Sequence, residues 1–188
     1  MKSILKSAII LATFLGSLGS QNVFAQNRYV ERNGEIQFEA SEKLFEEVKA
    51  THESVTGILD VATGEIAVLA LVKGFRFKNS LMEEHFNENY IESEKYPKAS
   101  FKGKLNGFDF ESLTDNWTNI SVDGKLILHG KEKLITPALM FRKLDGSVVM
   151  KGSFIAAPSD FDIKIPKIVE NKIAKEVTIN VEFNFSKK

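Results

Sequence analysis

The sequence predicts an all-β protein, an antiparallel barrel of about eight strands with one inserted α-helix. Two segments, 98–105 and 176–185, alternate apolar and polar residues over their whole length, which is typical of strands with one buried face. Glycine-containing turn signals recur along the chain and divide it into short two-faced pieces. Regular strands joined by hairpins favour a closed antiparallel barrel, which leaves no exposed edge, and a β-sandwich is the structural alternative.

The strands follow in order from the turn signals. Asn33-Gly34, Asp123-Gly124 and Asp145-Gly146 are typical of tight hairpin turns. We therefore expect strands at 28–32 and 35–40 around the first dipeptide, 53–59 and 65–71 around Ala62-Thr63-Gly64, 73–78, 119–122 and 125–128 around the second, 136–144 and 147–155 around the third, and 176–185.

The helix is predicted to begin at Ser80 and to precede the strand at 98–105. Ser80 can cap it, and Glu83 three residues later completes a capping box. Met82, Phe86 and Tyr90 fall four residues apart and so share one helical face. An apolar helix directly before a strand whose inner face carries phenylalanine indicates a lidded container for an apolar ligand.

The first 25 residues have the pattern of a secretory signal peptide. Lys2 and Lys6 form a positive region, residues 8–15 are apolar, and Val23-Phe24-Ala25 is a suitable cleavage site. A buried N-terminal helix and a retained anchor are the alternatives. We expect cleavage after Ala25, a single domain over 26–188, and a periplasmic or secreted bacterial protein.

Composition excludes several classes of function. Without Lys2 and Lys6, 23 basic residues face 25 acidic ones, so no basic surface for nucleic acid is expected. The chain has no cysteine, which excludes disulfides and thiolate chemistry. No later apolar run reaches membrane-spanning length, so an integral membrane protein is not expected.

No group of residues predicts catalysis. His52, His85 and His129 lack the spacing of metal ligands, and we expect His129 to make a hydrogen bond within its turn. Asp160 and Asp162 flank Phe161, a pattern that shapes a turn more often than it performs acid–base chemistry. We therefore expect a protein that is not an enzyme and that has no metal or cofactor.

Four motifs, taken in order, resemble the YceI-like family. They are Tyr96-Pro97 with a phenylalanine-bearing strand, the G-x-L-x-x-H-G pattern at 124–130, Gly152-Ser153-Phe154, and Asp160-Phe161-Asp162-Ile163. The resemblance covers nearly the whole mature chain. It implies a lipocalin-like barrel with an inserted helix that is exported to the periplasm and binds a polyisoprenoid or a similar amphiphile. The chain departs from the family at 77–86, where an Arg-Asp pair is missing.

The expected ligand is an amphiphilic lipid, namely a polyisoprenoid, a quinone or a fatty-acid-like molecule, held for transport or storage. The alternative is a stress-related or protein-interaction module whose barrel is filled by side chains, and a homodimer is one candidate assembly. Phe101 and Phe154 are the central candidates, since each lies two residues from a strand glycine that leaves space beside it. The full predicted lining is Phe38, Phe77, Met82, Phe86, Phe101, Leu105, Leu126, Met150, Phe154, Phe161, Ile179, Val181 and Phe183.

The signal-peptide hypothesis predicts that the exported protein begins at Gln26. Intact-mass measurement of the protein recovered from the periplasm or medium should give the mass of residues 26–188. Recovery of a chain that retains Met1 to Ala25 in the membrane fraction would contradict the prediction.

Overall fold

The computed structural model describes residues 27–42 and 44–188, so the predicted leader lies outside the described residues. The helical segments are α1 (Ser80–His85), a turn of π-helix at Phe86–Tyr90, and short 3₁₀ turns at Val72–Gly74 and Pro158–Phe161. Among the described residues, none of these segments combines the length and apolar character of a membrane-crossing helix. The strands are β1 (Arg28–Ser41), β2 (Lys49–Asp60), β3 (Glu65–Leu71), β4 (Arg76–Phe77), β5 (Lys98–Leu105), β6 (Thr118–Leu128), β7 (Lys131–Ile135), β8 (Ala138–Leu144), β9 (Ser147–Ala156) and β10 (Ile173–Lys187).

Eight of these strands form a closed antiparallel ring. The order is β1-β10-β9-β8-β6-β5-β3-β2, and β2 pairs again with β1. The two short strands lie outside the ring, with β4 paired to the start of β2 and β7 paired to the end of β6. The predicted barrel of about eight strands with one inserted helix is confirmed, and the sandwich alternative is excluded.

Two of the predicted hairpins are wrong, because the glycines serve close packing and not turns. Asn33-Gly34 lies within β1, where the pairing register shifts between Val30 and Glu35. A Cβ atom on Gly34 would lie 2.3 Å from the ring of Phe183. Such an irregularity is a β-bulge, which bends a strand without reversing it.

The second wrong hairpin is Asp123-Gly124, which lies inside the continuous strand β6. Gly124 is paired with Gly103 of β5. A Cβ atom on Gly124 would lie 2.4 Å from the ring of Phe101, and one on Gly103 would lie 2.8 Å from it. Phe101 therefore fills the space over both glycines, and that space is not left open as we expected. Gly152 is similar, because a Cβ atom there would lie 2.7 Å from the side chain of Leu139. Leu139 therefore fills the space that we expected to be free beside Phe154.

The other hairpins and the last strand agree with the sequence. Asp145 and Gly146 have φ values of 49° and 79°, the left-handed pair that a two-residue hairpin requires. Every second residue of β10 from Val177 to Phe183 faces the barrel interior. Glu182 is exposed as predicted, but Thr178 and Asn180 are only half-exposed, as are Val177, Ile179 and Val181, so over 177–181 the two faces differ in cavity lining and not in exposure.

The two ends of the barrel differ in how they are filled. At one end the strands are joined mainly by short connections, and this half is packed solid around Leu59, Phe141, Phe183 and Phe185. The other end receives the connections at 42–48, 72–97, 129–137 and 157–172, of which 72–97 and 157–172 are the longest between ring strands. The inserted helix lies in the second of these, so the barrel carries its added elements at one end only.

We predict that Phe185 is essential to the packed end. Its side chain is fully buried and stacks on Phe183 at a centroid distance of 5.5 Å. Phe185→Ala should lower the free energy of unfolding by about 3–5 kcal/mol. The adjacent Asn184→Ala, on the exposed face of the same strand, should change it by less than about 0.5 kcal/mol. Urea denaturation of the two variants checks this, and equal effects would contradict the assignment of the two faces.

Candidate functional site

A cavity of about 490 Å³ occupies the barrel half that carries the long connections. Its walls come from the inner faces of the ring strands, and its end is covered by the helix and by the connections at 42–48 and 157–172. Exposed side chains such as His85 and Lys172 are part of the lining, so the cavity reaches the surface there. We call this opening the mouth.

Twelve of the thirteen predicted lining residues border this cavity. They come from seven ring strands or connections that are distant in sequence: Phe38, Phe77, Met82, Phe86, Phe101, Leu126, Met150, Phe154, Phe161, Ile179, Val181 and Phe183. Leu105 is the exception, since it packs in the solid half of the barrel and is only 2% exposed. Its position on the inner face of β5 was correct, but it lies at the end of the strand that is farthest from the mouth.

A cluster of phenylalanines joins the helix to the barrel wall. Phe38 of β1 lies at its centre, with ring centroids at 5.4 Å from Phe75, 5.6 Å from Phe77 and 5.3 Å from Phe86. Such tilted and edge-on contacts are the favoured geometries for aromatic pairs. The cluster holds the helix against β1 and β4 and forms one side of the cavity.

The helix begins differently from the prediction. Asn79, and not Ser80, is the N-cap, and its side chain accepts hydrogen bonds from the backbone N–H groups of Leu81 (3.0 Å) and Met82 (3.4 Å). Glu83 does not complete a capping box. Its carboxylate instead accepts from the Phe77 backbone N–H at 3.1 Å and from Arg76 at 3.0 Å. These bonds tie the first turn of the helix to β4.

The predicted apolar face of the helix is directed into the cavity. Met82, Phe86 and Tyr90 all line it, although the segment from Phe86 changes from α-helix to π-helix. The Ile91 N–H donates to the Phe86 carbonyl at 2.9 Å, which closes the wider turn. Turns of π-helix are rare in proteins overall, but those that do occur are often found at functional sites.

His129 links three connections at the mouth end of the barrel. It is buried, its Nδ1 lies 2.9 Å from the Phe161 carbonyl, and its Nε2 lies 2.7 Å from the Glu92 carboxylate. Each ring nitrogen thus lies within hydrogen-bond distance of an oxygen on a different segment, so His129 links the two segments through its two nitrogens. The hydrogen bond from His129 lowers the pKa of Glu92. The expectation of a hydrogen bond within the turn is therefore wrong, since both partners lie over 30 residues away.

Gly130 makes this arrangement sterically feasible. Its φ is +72°, and a Cβ atom there would lie 2.6 Å from the ring of Tyr96, which itself packs on His129 at 4.4 Å between centroids. A residue with a side chain would therefore be strained and would displace Tyr96. The His-Gly part of the G-x-L-x-x-H-G pattern thus has a packing explanation.

Asp160 and Asp162 hold the 157–172 connection to the barrel. Asp160 forms an ion pair with Lys133, and Asp162 lies 2.7 Å from the ammonium of Lys131. The hydrogen bond from Lys131 lowers the pKa of Asp162. The two carboxylates thus face separate lysines of β7, an arrangement that shapes a turn and offers no paired acid and base.

Polar groups in the cavity are few and lie near the mouth. They are Glu46, His85, Tyr90, Ser100 and Lys172. Within residues 27–42 and 44–188, no cluster of histidine and acidic side chains could hold a metal ion. The arrangement offers a large apolar volume with a few polar groups at its entrance.

The sequence did not indicate several parts of the lining. Ile163, Ile165 and Val169 belong to the connection after the Pro158–Phe161 turn, and Phe45 belongs to the connection after β1. The sequence feature that could have indicated them is the set of apolar residues at 163, 165 and 169, which lie in a stretch with no predicted strand. Phe75 was predicted as a strand residue, but its role in the aromatic cluster depends on the position of the helix.

Comparison with known proteins identifies both sequence and structural relatives. The sequence profile of the YceI-like domain matches residues 28–185. No curated protein sequence matches the chain.

Three solved structures have a similar fold, and at these identities the likeness shows the fold alone. A polyisoprenoid binding domain from Saccharophagus degradans, implicated in plant cell wall breakdown, has a TM-score of 0.74 at 14% identity and covers 87% of this chain and 99% of its own. BcnA of Burkholderia cenocepacia has a TM-score of 0.67 at 15% identity, with coverages of 81% and 96%. The YCEI protein of Campylobacter jejuni has a TM-score of 0.57 at 17% identity, with coverages of 74% and 86%.

We predict that His52 makes the fold sensitive to acid. It is buried beside Phe75 (5.3 Å between centroids), its Nδ1 accepts from the Ser54 N–H at 3.2 Å, and its Nε2 has no partner. Burial lowers the pKa of His52. As the pH falls, this histidine is therefore protonated in the unfolded chain before it is protonated in the folded protein. The contribution of His52 to the free energy of unfolding should be complete above about pH 6.5 and should be lost as the pH decreases below that value.

Thermal unfolding between about pH 7.5 and pH 5.5 tests this effect of His52. His52→Phe keeps a ring against Phe75 and should reduce the loss of Tm on acidification. His85→Gln removes an exposed histidine and should leave that loss unchanged. A His52→Phe variant as acid-sensitive as the unmodified protein would show that another group is responsible.

Proposed function

The chain belongs to the YceI-like domain family, and we propose that it binds a polyisoprenoid or a similar long-chain lipid inside the barrel. The single observation that carries the proposal is the apolar cavity of about 490 Å³, which lies within the range typical of ligand sites. We further propose that the protein is exported to the periplasm or secreted and transports or stores this lipid.

The shape of the site supports a long amphiphile. The cavity extends from Phe183, next to the packed half, to Lys172 at the mouth. An apolar chain would lie along the strand faces, and its polar head would lie at the mouth beside His85, Glu46 or Lys172. The solved polyisoprenoid binding domain of similar fold supports the same class of ligand.

The energetics of such a complex are favourable. Burying about 400 Å² of apolar ligand surface contributes roughly 10 kcal/mol. Association costs of at least about 4 kcal/mol leave at most roughly 6 kcal/mol, which corresponds to a Kd no tighter than tens of micromolar for this buried area. Longer chains bury more surface and should bind more tightly until the cavity is full.

The alternative of a filled interaction module receives less support. Such a protein would pack its interior from end to end, whereas only the half around Phe141 and Phe185 is solid here. No described cluster of titratable groups offers acid–base chemistry in the cavity, so we propose a binding role and not a catalytic one.

The direct test of the proposal is to identify the lipid that is bound to the protein when it is purified from its own host. Native mass spectrometry should detect a bound lipid, and organic extraction should release it for identification. After delipidation, the protein should bind isoprenoid alcohols with affinity rising from geraniol to farnesol to geranylgeraniol. Failure to bind any of these, or fatty acids of similar length, would reject the proposal.

Phe154 offers a matched pair of variants for the location of the site. Its side chain lines the cavity, while the adjacent Ser153 is exposed on the outer face of β9. Phe154→Trp should shorten the usable cavity and weaken geranylgeraniol binding by about tenfold, a change of about 1.4 kcal/mol, with less effect on geraniol. Ser153→Trp should leave both affinities unchanged. Equal affinities in the two variants would place the ligand elsewhere.

A further inference from the structure

Three large apolar side chains project into solvent around the mouth. Leu44 is 92% exposed, Leu81 is 55% exposed and Ile168 is 84% exposed. Single exposed apolar residues are common on protein surfaces, but here each comes from a different one of three connections that cover the cavity, 42–48, 72–97 and 157–172. We call these three residues the rim.

Each rim residue immediately precedes a residue that lines the cavity. One residue of each pair therefore borders the cavity while its neighbour is exposed, and Phe45, which is itself 42% exposed, does both. The pairs are Leu44 with Phe45, Leu81 with Met82, and Ile168 with Val169.

The 42–48 connection lies between the other two rim elements and interacts with each. The Asn79 side chain, at the start of the helix, donates to the Glu46 carboxylate of the 42–48 connection at 3.1 Å. The Lys172 ammonium, at the end of the 157–172 connection, lies 5.9 Å from the ring centre of Phe45. The three rim residues therefore lie on elements that meet at the mouth, although other exposed apolar residues occur on the strands.

We propose that the rim docks the protein on the surface of a lipid bilayer, with the mouth facing the membrane. Apolar side chains presented at a membrane surface enter the boundary between headgroups and acyl chains. A lipid could then move between bilayer and cavity without its chain crossing water. This inference rests on the proposed lipid-binding function.

The geometry favours a bilayer over a protein partner as the occupant of this surface. The energetic centre of a protein interface is a continuous packed patch with anchor side chains near its middle. Here the middle of the patch is the cavity mouth itself, and the apolar side chains stand around it. A fluid bilayer can accommodate such a ring and continue the apolar cavity into its own interior.

The charges around the mouth indicate how the docking would respond to salt. The three connections that cover the mouth carry described charges of both signs: Glu42, Glu46, Glu47, Glu84, Glu88 and Glu170, and Lys78, Lys164, Lys167 and Lys172. This is not the basic cluster that attracts anionic membranes. Binding should therefore come from apolar insertion, should occur on uncharged lipid, and should change little with salt.

Co-sedimentation with phosphatidylcholine vesicles tests the proposal. The rim variant Leu44→Gln, Leu81→Gln, Ile168→Gln should lose at least about tenfold in vesicle partitioning relative to the unmodified protein. The control variant Ile58→Gln, Met140→Gln, Leu144→Gln changes three other exposed apolar residues, all on strands in the packed half of the barrel, and should partition normally. Thermal unfolding of both variants checks that the fold is intact.

Geranylgeraniol binding in vesicle-free solution is measured on the same three proteins, so that docking and ligand binding can fail separately. Unchanged solution binding together with lost vesicle binding in the rim variant alone supports the proposal. Absence of vesicle binding by the unmodified protein, with ligand binding intact, overturns the rim proposal, leaves the proposed function standing and points to a protein partner. Equal losses in the rim and control variants, or partitioning abolished by high salt, would also overturn it. Vesicle binding without any ligand binding would instead reject the proposed function.

Discussion

The structure depends on the double pairing of β1, which joins β10 on one side and β2 on the other. These two ladders close the sheet into a ring, so that every ring strand has a neighbour on both sides. Closure removes the exposed edges that make isolated sheets prone to aggregation. It also fixes an interior whose width eight strands determine, wide enough for packed side chains or for one small ligand.

Both uses of that interior occur in the same barrel. Large aromatic residues such as Phe141 and Phe185 fill one half, while the other half contains the cavity. The difference follows from the connections, since the helix and the 157–172 segment cover the second end from outside and do not fill it. The residues that contribute most to stability and the residues that border the cavity therefore lie in different halves of the barrel. A cavity variant such as Phe154→Trp can then alter ligand selection while the packed half stays intact.

The covering elements are held by polar contacts that themselves lie outside the apolar volume. His129 joins the Glu92 segment to the Phe161 turn, Asp160 and Asp162 fasten that turn to β7, and Glu83 fastens the helix to β4. The interior can therefore stay almost free of charge. The few polar groups that border the cavity are near the mouth, where an amphiphile would place its head and where the exposed rim lies.

The sequence by itself determined the barrel, the helix, the inner face of β10 and twelve of the thirteen predicted lining residues, because a two-residue period shows which side chains share a face. It could not distinguish a turn glycine from a packing glycine. Gly34 and Gly124 follow residues typical of hairpins, yet they lie in continuous strands beneath Phe183 and Phe101. Nor could it show how far along the axis a residue lies, which is why Leu105 was placed in the cavity. Only the tertiary structure decided these points, together with the partners of His129, because they depend on contacts between segments far apart in the chain.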